Sequence, residues 1–265
     1  MGLHERERQL SILYGAATCL SLITIICIAV PWTHWKQILD TCTNYSCGCI
    51  LYGTNYFYVY NGGNTSMCQF TTFAPIPVLV IAIIMAGYHG YRVCMSGKKV
   101  KRKQKRNGDV AVIESRSGEP YDGPGLKWLI ALIVIACCVS ALLAVSTVTL
   151  IDGYYTTCRE YRHHMTKWEV VNGQMASVIN GRLQCGAIFD FMDYMEPIRR
   201  PFFRKDYINY NYPHEEKDYE RGGFINTGLS LQIAISSACI NCVTWGLIII
   251  NYAVLIYSSG ECCSK

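Results

Sequence analysis

The chain has 265 residues, of which 51% are hydrophobic and only 16% charged, well below the roughly 25% charged of an ordinary soluble domain. With no tripeptide repeat, no sustained heptad and this much apolar surface, collagen, a long coiled coil and wholesale disorder are excluded, as is a single soluble domain. The net charge of +5 is concentrated in one segment rather than spread over a surface, which argues against nucleic-acid binding.

The apolar residues gather into four blocks, Leu10 to Val30, Phe73 to Val93, Trp128 to Ile151 and Leu229 to Tyr257. Each is near or above the roughly 20 residues that cross a hydrocarbon core. The predicted fold is therefore an all-α membrane protein, a bundle of four transmembrane helices at 10–30, 73–93, 128–151 and 229–257, joined by loops at 31–72, 94–127 and 152–228, with short termini at 1–9 and 258–265. The first block is too long for a signal-peptide core, and Pro31-Trp32-Thr33-His34-Trp35 does not look like a small-residue cleavage site, so it reads as an uncleaved helix. Trp32, Trp35, Tyr88, Trp128 and Tyr257 stand at block ends, where amphipathic rings favour the membrane interface.

Between the second and third blocks, Arg92 to Lys127 carries ten Lys and Arg against four acids. Short loops rich in Lys and Arg stay in the cytoplasm, which puts both termini inside and the two other loops outside. Both glycosylation acceptor patterns, Asn44-Tyr45-Ser46 and Asn64-Thr65-Ser66, fall in the first outer loop. The same loop holds Cys42, Cys47, Cys49 and Cys68, and the second holds Cys158 and Cys185, all on the side where disulfides persist. Three disulfides are expected. Cys47 and Cys49 are too close to pair comfortably, so one of them, with Cys49 preferred, pairs with Cys68, and Cys158 pairs with Cys185. The partner choice in the first loop stays open. A zinc site at those four cysteines is the rival reading, but paired Cys-x2-Cys knuckles are missing.

Ala136, Ser140 and Ala144 recur at four-residue spacing in the third block, a small-residue face that lets another helix approach. Gly15, Ala16, Ala17 and Cys19 do the same in the first. Gln232, Asn241, Thr244 and Asn251 give the fourth block polar groups that need interhelical partners. No Asp, Glu, Lys or Arg lies well inside a block, which disfavours proton relays, coupled carriers and voltage sensors. His89, at the inner edge of the second block, is expected to reach headgroups and water.

The long second outer loop opens helically over Thr156 to Val171 and closes on an aromatic, charged stretch from Pro201 to Tyr219. Phe202, Phe203, Tyr207, Tyr210 and Tyr212 there are candidate partner contacts, since tyrosine and arginine enrich protein interfaces. His163-His164 point in different directions on a helix and find no third metal ligand at usable spacing. Asp190, Asp193 and Glu196 would share one helical face, read as a charged surface or a loose Ca2+ contact. Phosphate loops, Gly-x-Ser-x-Gly elbows and His-Glu-x-x-His are missing, so no enzyme and no cofactor are expected. Cys94, Cys262 and Cys263 are juxtamembrane palmitoylation candidates beside a segment that favours anionic lipids. The final Lys265 is atypical for prenylation, and Arg6 replaces the Ser or Thr that myristoylation prefers.

The layout resembles the transmembrane protein 179 family of four-pass proteins, related in organisation to claudin-like and MARVEL-like tetraspans. The resemblance rests on Cys49-Ile-Leu-Tyr-Gly followed by Cys68-Gln-Phe, on Cys158 after the third helix with Cys185 beyond it, and on Phe224-Ile-Asn-Thr-Gly-Leu-Ser-Leu. The long second loop and the extra Cys42 and Cys47 depart from it. A tetraspanin would carry Cys-Cys-Gly where this chain has Cys185-Gly186, and a claudin would carry Gly-Leu-Trp where it has Ile50-Leu51-Tyr52-Gly53. The function expected is that of an accessory subunit, bound through loops and helix faces to another integral membrane protein, a channel or receptor, at the plasma membrane. A homo-oligomeric pore lined by Gln232, Asn241 and Asn251, and an adhesion protein, are the alternatives.

Overall fold

The computed structural model describes residues 3–40, 42, 46–56, 59–104, 125–167, 184–195 and 225–263. Helices dominate: α1 (Leu3–Leu39), α2 (Thr65–Phe73), α3 (Pro75–Gln104), α4 (Leu126–Lys167), α5 (Cys185–Met195) and α6 (Thr227–Cys263), with strands β1 (Cys49–Tyr56) and β2 (Val59–Gly63) between α1 and α2. Four helical stretches, Glu5–Lys36, Thr65–Cys94, Lys127–Thr166 and Thr227–Tyr257, are long and apolar enough to cross a membrane. All four outrun the apolar blocks in the sequence. The 42 residues of α4 reach about 63 Å at the helical rise, because Tyr154, Cys158 and Tyr161 beyond the apolar block bury themselves in a second core.

The chain divides into two compact units, one of residues 1–22, 76–144 and 238–265, the other of residues 23–75 and 145–237. In the first, α1, α3, α4 and α6 share a core that includes Leu10, Tyr14, Val78, Ala82, Leu132, Ala136, Trp245 and Ile248. The outward faces stay apolar, as at Ile12, Ile84, Val134 and Val243. A helix apolar all round belongs in a core or a membrane.

The second unit carries the part that the all-α expectation lacks, an antiparallel hairpin of β1 and β2. Thr54, Asn55 and Tyr56 pair with Asn61, Tyr60 and Val59, and the register shifts between Cys49 and Thr54. In that irregular stretch Tyr52 has φ 58°, the left-handed region that a non-glycine residue seldom occupies. A Cβ on Gly63 would strike the carbonyl oxygen of Leu51, and one on Gly62 that of Cys47. Glycine alone lets β2 approach that closely.

Local chemistry sets the element ends. Asn64 caps α2, its Oδ1 accepting Ser66 N–H at 3.0 Å. Pro75, with no N–H to continue α2, opens α3 at a position where proline fits. Pro31 sits inside α1 and leaves the carbonyl of Cys27, four residues back, without its helical donor. Ser230 Oγ fills the gap, donating to Cys27 O at 2.9 Å.

Candidate functional site

Two polar clusters stand out, one in each unit. In the first, Glu7 and Arg92 form an ion pair at 3.1 Å, with side chains only 2% and 16% exposed. Nearby on α1 and α3, and on α6, the hydroxyls of Tyr14 and Tyr252 lie 3.0 Å apart, and His89 Nε2 is 3.0 Å from the same Tyr252 oxygen. Tyr14 stacks on His89 and meets Trp245 edge to face. Arg6 donates to Asn251 Oδ1 at 3.0 Å, and Asn241 Nδ2 donates to Ser21 Oγ at 2.9 Å. Polar groups buried away from water must find partners, so these bonds tie α1 to α3 and α6.

This cluster corrects one reading of the sequence. His89 does not reach water, being 3% exposed, because its helical face turns toward Tyr14 and Tyr252 rather than outward. The small residues of α4 are graded in burial. Ala136 is buried, Ser140 half-buried and Ala144 exposed, since a four-residue step overshoots the helical turn by about 40° and two steps carry Ala144 away from the core. The Glu7–Arg92 pair was not singled out by sequence reasoning. Glu7 lies just before the first apolar block and Arg92 is the last residue but one of the second, and the one available signal was their opposite charge at block ends.

In the second unit three disulfides, Cys42–Cys47, Cys49–Cys68 and Cys158–Cys185, staple the hairpin, α2 and α5. The hairpin docks on α4 through Thr157, whose buried hydroxyl donates to Ile50 O at 2.8 Å and accepts Gly53 N–H at 3.1 Å. Tyr60 packs edge to face on Tyr161, and His164 Nδ1 lies 3.0 Å from Asn55 Oδ1. His163, next to it, is exposed, so the two histidines serve no common site. Tyr52 donates to Thr149 O at 3.2 Å. Burial, with the Asp152 carboxylate beside it, pushes the Tyr52 phenol up to about 12, which keeps the proton available for that bond.

At the start of α6 the Asp193 carboxylate accepts Thr227 N–H at 2.7 Å and Asn226 Oδ1 accepts Leu229 N–H at 2.8 Å. Together they satisfy N-terminal N–H groups that the helix itself leaves unpaired, and the carboxylate lies at the favourable end of the dipole. Thr227 Oγ1 also accepts the Trp35 indole N–H at 2.8 Å. Burial nonetheless pushes the Asp193 carboxyl above the usual carboxylate range, outweighing Thr227 and the nearby His34, which pull it down. Asp190 is exposed, so the expected acidic face separates into one solvated carboxylate and one helix cap, and Glu196 lies outside the described residues.

Gln232 Nε2 donates to Tyr154 Oη at 3.1 Å. Asn64 is exposed, its Oδ1 engaged in the α2 cap, and Asn44 lies outside the described residues. Cys94 is exposed about two thirds of the way along α3, and Cys262 and Cys263 fall in the last residues of α6. Phe202, Phe203, Tyr207, Tyr210 and Tyr212 all lie outside the described residues. Among the described residues no group of three His, Cys, Asp or Glu side chains is placed to hold a metal ion. The chemistry of both clusters is that of side chains bonded to one another. No protein-family model, curated protein or solved structure matches the chain.

Proposed function

We propose that this chain is a four-pass membrane protein of the transmembrane protein 179 type, without catalytic activity. It acts as an accessory subunit of a channel or receptor, presenting its stapled hairpin and α4 extension to another integral membrane protein. In this reading 94–127 and both termini face the cytoplasm, 31–72 and 152–228 lie outside, and the protein resides in the plasma membrane. Asn44 and Asn64 carry glycans, and Cys94, Cys262 and Cys263 carry palmitoyl chains.

The observation that carries the reading is what the polar side chains of α6 do. Gln232 bonds Tyr154, Asn241 bonds Ser21 and Asn251 accepts from Arg6, all within one chain. A homo-oligomeric pore would need such groups turned to a water-filled lumen, whereas here they hold the protein's own helices. The exposed apolar rows, including Ile84, Val134, Val148 and Val243, suit lipid or partner helices.

The test is gentle extraction of the tagged protein from its native membrane, then sizing and identification of whatever remains bound. A foreign channel or receptor subunit at fixed ratio is expected. A homogeneous particle of this chain alone, conducting in bilayers, would overturn the accessory reading in favour of the pore.

A further inference from the structure

Helix α5 is apolar on both sides. Its inward face, Ile188, Phe189 and Met192, is buried, and Phe189 stacks on Tyr154 with ring centres 4.9 Å apart. Its outward face carries Ala187, Phe191 and Tyr194, the two aromatics 44% and 62% exposed, with Asp190 along one edge. A short helix packed against a protein and bathed in water on its other side carries polar residues there. This one carries aromatic rings.

The level of α5 is fixed by its contacts with α6. Asp193 accepts from Thr227 N–H, and a Cβ on Gly186 would meet Gln232 Nε2 at 2.9 Å, while one on Gly228 would meet Gly186 O at 3.0 Å. The helix therefore runs beside α6 from Thr227 to Gln232, the first turns of the apolar span Thr227–Tyr257. Leu229 and Ile233 are exposed in those same turns. Trp35, buried near the end of the span Glu5–Lys36, bonds Thr227 at this level and fixes it, while Tyr155, exposed on α4, adjoins Tyr154, which packs on α5. Aromatic rings gathered where apolar spans begin and end are the pattern of a membrane interface.

The geometry points to α5 as an interfacial helix: Phe191 and Tyr194 lie in the headgroup and upper acyl region of the leaflet that α6 enters at Thr227, and lipid covers the face they form. The proposal rests on the membrane-spanning reading above. The apolar rings lie in the boundary layer, the Tyr194 hydroxyl and the Asp190 carboxylate reach toward water, and the outward surface of α5 continues the exposed apolar surface of Leu229 and Ile233.

A photoreactive benzoylphenylalanine placed at Phe191 or Tyr194 in the full chain, reconstituted in phosphatidylcholine nanodiscs, tests the proposal. Val243, exposed within the α6 span, and His163, exposed further along α4, are the comparison positions. Lipid adducts at 191 and 194 comparable with those at Val243 and far above those at His163 are expected. Adducts to protein, of this chain or another, or no adduct at 191 and 194 while Val243 labels lipid, would overturn the interfacial assignment alone. Absence of lipid adducts at Val243 would instead overturn the membrane-spanning reading and the proposal with it. Phe191→Trp gives a second readout without a bulky probe: added emission quenched by brominated lipid supports the assignment, and added emission quenched only by aqueous iodide contradicts it.

Discussion

Ser230 donates its hydroxyl hydrogen to the carbonyl of Cys27 at 2.9 Å, the acceptor that Pro31 cannot serve because it has no N–H. One helix thus repairs the hydrogen-bond defect of another. Proline inside a spanning helix is tolerated when a neighbour re-satisfies the freed backbone. Ser230→Ala should lower thermal stability in detergent by about 1 kcal/mol, the typical scale of such interhelical bonds. In a Pro31→Ala background the backbone N–H returns, and the cost of Ser230→Ala should shrink toward zero. Equal costs in both backgrounds would show that the repair carries no energy.

Thr157 joins the hairpin to α4 through two bonds from one hydroxyl. Thr157→Val keeps the shape and removes both, leaving Ile50 O and Gly53 N–H unpaired in a buried place, which costs about 1–3 kcal/mol for each unsatisfied group. The expected result is a lower melting temperature and weaker surface expression. Thr157→Ser restores the hydroxyl and should recover most of the loss. Failure of Ser to recover it would assign the effect to the methyl group instead.

The disulfides should differ in weight. Cys158–Cys185 and Cys49–Cys68 close 27 and 19 residues, Cys42–Cys47 only 5. In the chain-entropy picture the two longer closures are worth roughly 3–4 kcal/mol each and the shortest about 2. Serine substitution of either partner in the longer pairs should sharply reduce surface expression, and substitution at Cys42 or Cys47 should reduce it least. The double variant Cys158→Ser, Cys185→Ser should resemble either single one. Normal trafficking of the Cys158 and Cys185 variants would count against that staple.

The four apolar spans were legible because membrane crossing is a matter of length and composition, read directly from blocks such as Trp128 to Ile151. Where each helix stops was not, since the ends of α1 and α4 are decided by Trp35, Leu39 and Tyr161 burying in a core made with distant segments. The hairpin was illegible for a related reason. Cys49 to Tyr56 shows no clean alternation, and its pairing depends on the Cys49–Cys68 bond, on Thr157 and on glycines that matter only once β1 and β2 meet. His89 was misplaced because the second block shows where a residue falls along a helix but not toward which neighbours it turns. Position along the block did better for Asn241, a polar group near the middle of an apolar stretch whose partner had to come from another helix, although nothing local named Ser21.

Asp193 supplies the pH-dependent prediction. Burial raises its carboxyl above the ordinary aspartate value of 3.8 in the folded protein, so the native state holds this proton more tightly than the unfolded chain does. Stability then falls with rising pH across this group's titration. Its contribution is complete below the unfolded value and is lost as pH climbs through the raised folded value. The cap opposes that loss only in part, because Thr227 N–H bonds one carboxylate oxygen while the other, Oδ1, is buried without a partner. Asp193→Asn keeps an acceptor for Thr227 and carries no charge. Thermal melts between pH 4 and neutrality should therefore show a flatter profile for Asp193→Asn than for the wild type, with the variant no less stable at neutral pH. Asp193→Ala, which removes both the charge and the cap, should show the same flat profile but lie about 1 kcal/mol below Asp193→Asn at every pH. An Asn variant that keeps the wild-type slope would assign the pH dependence to another group.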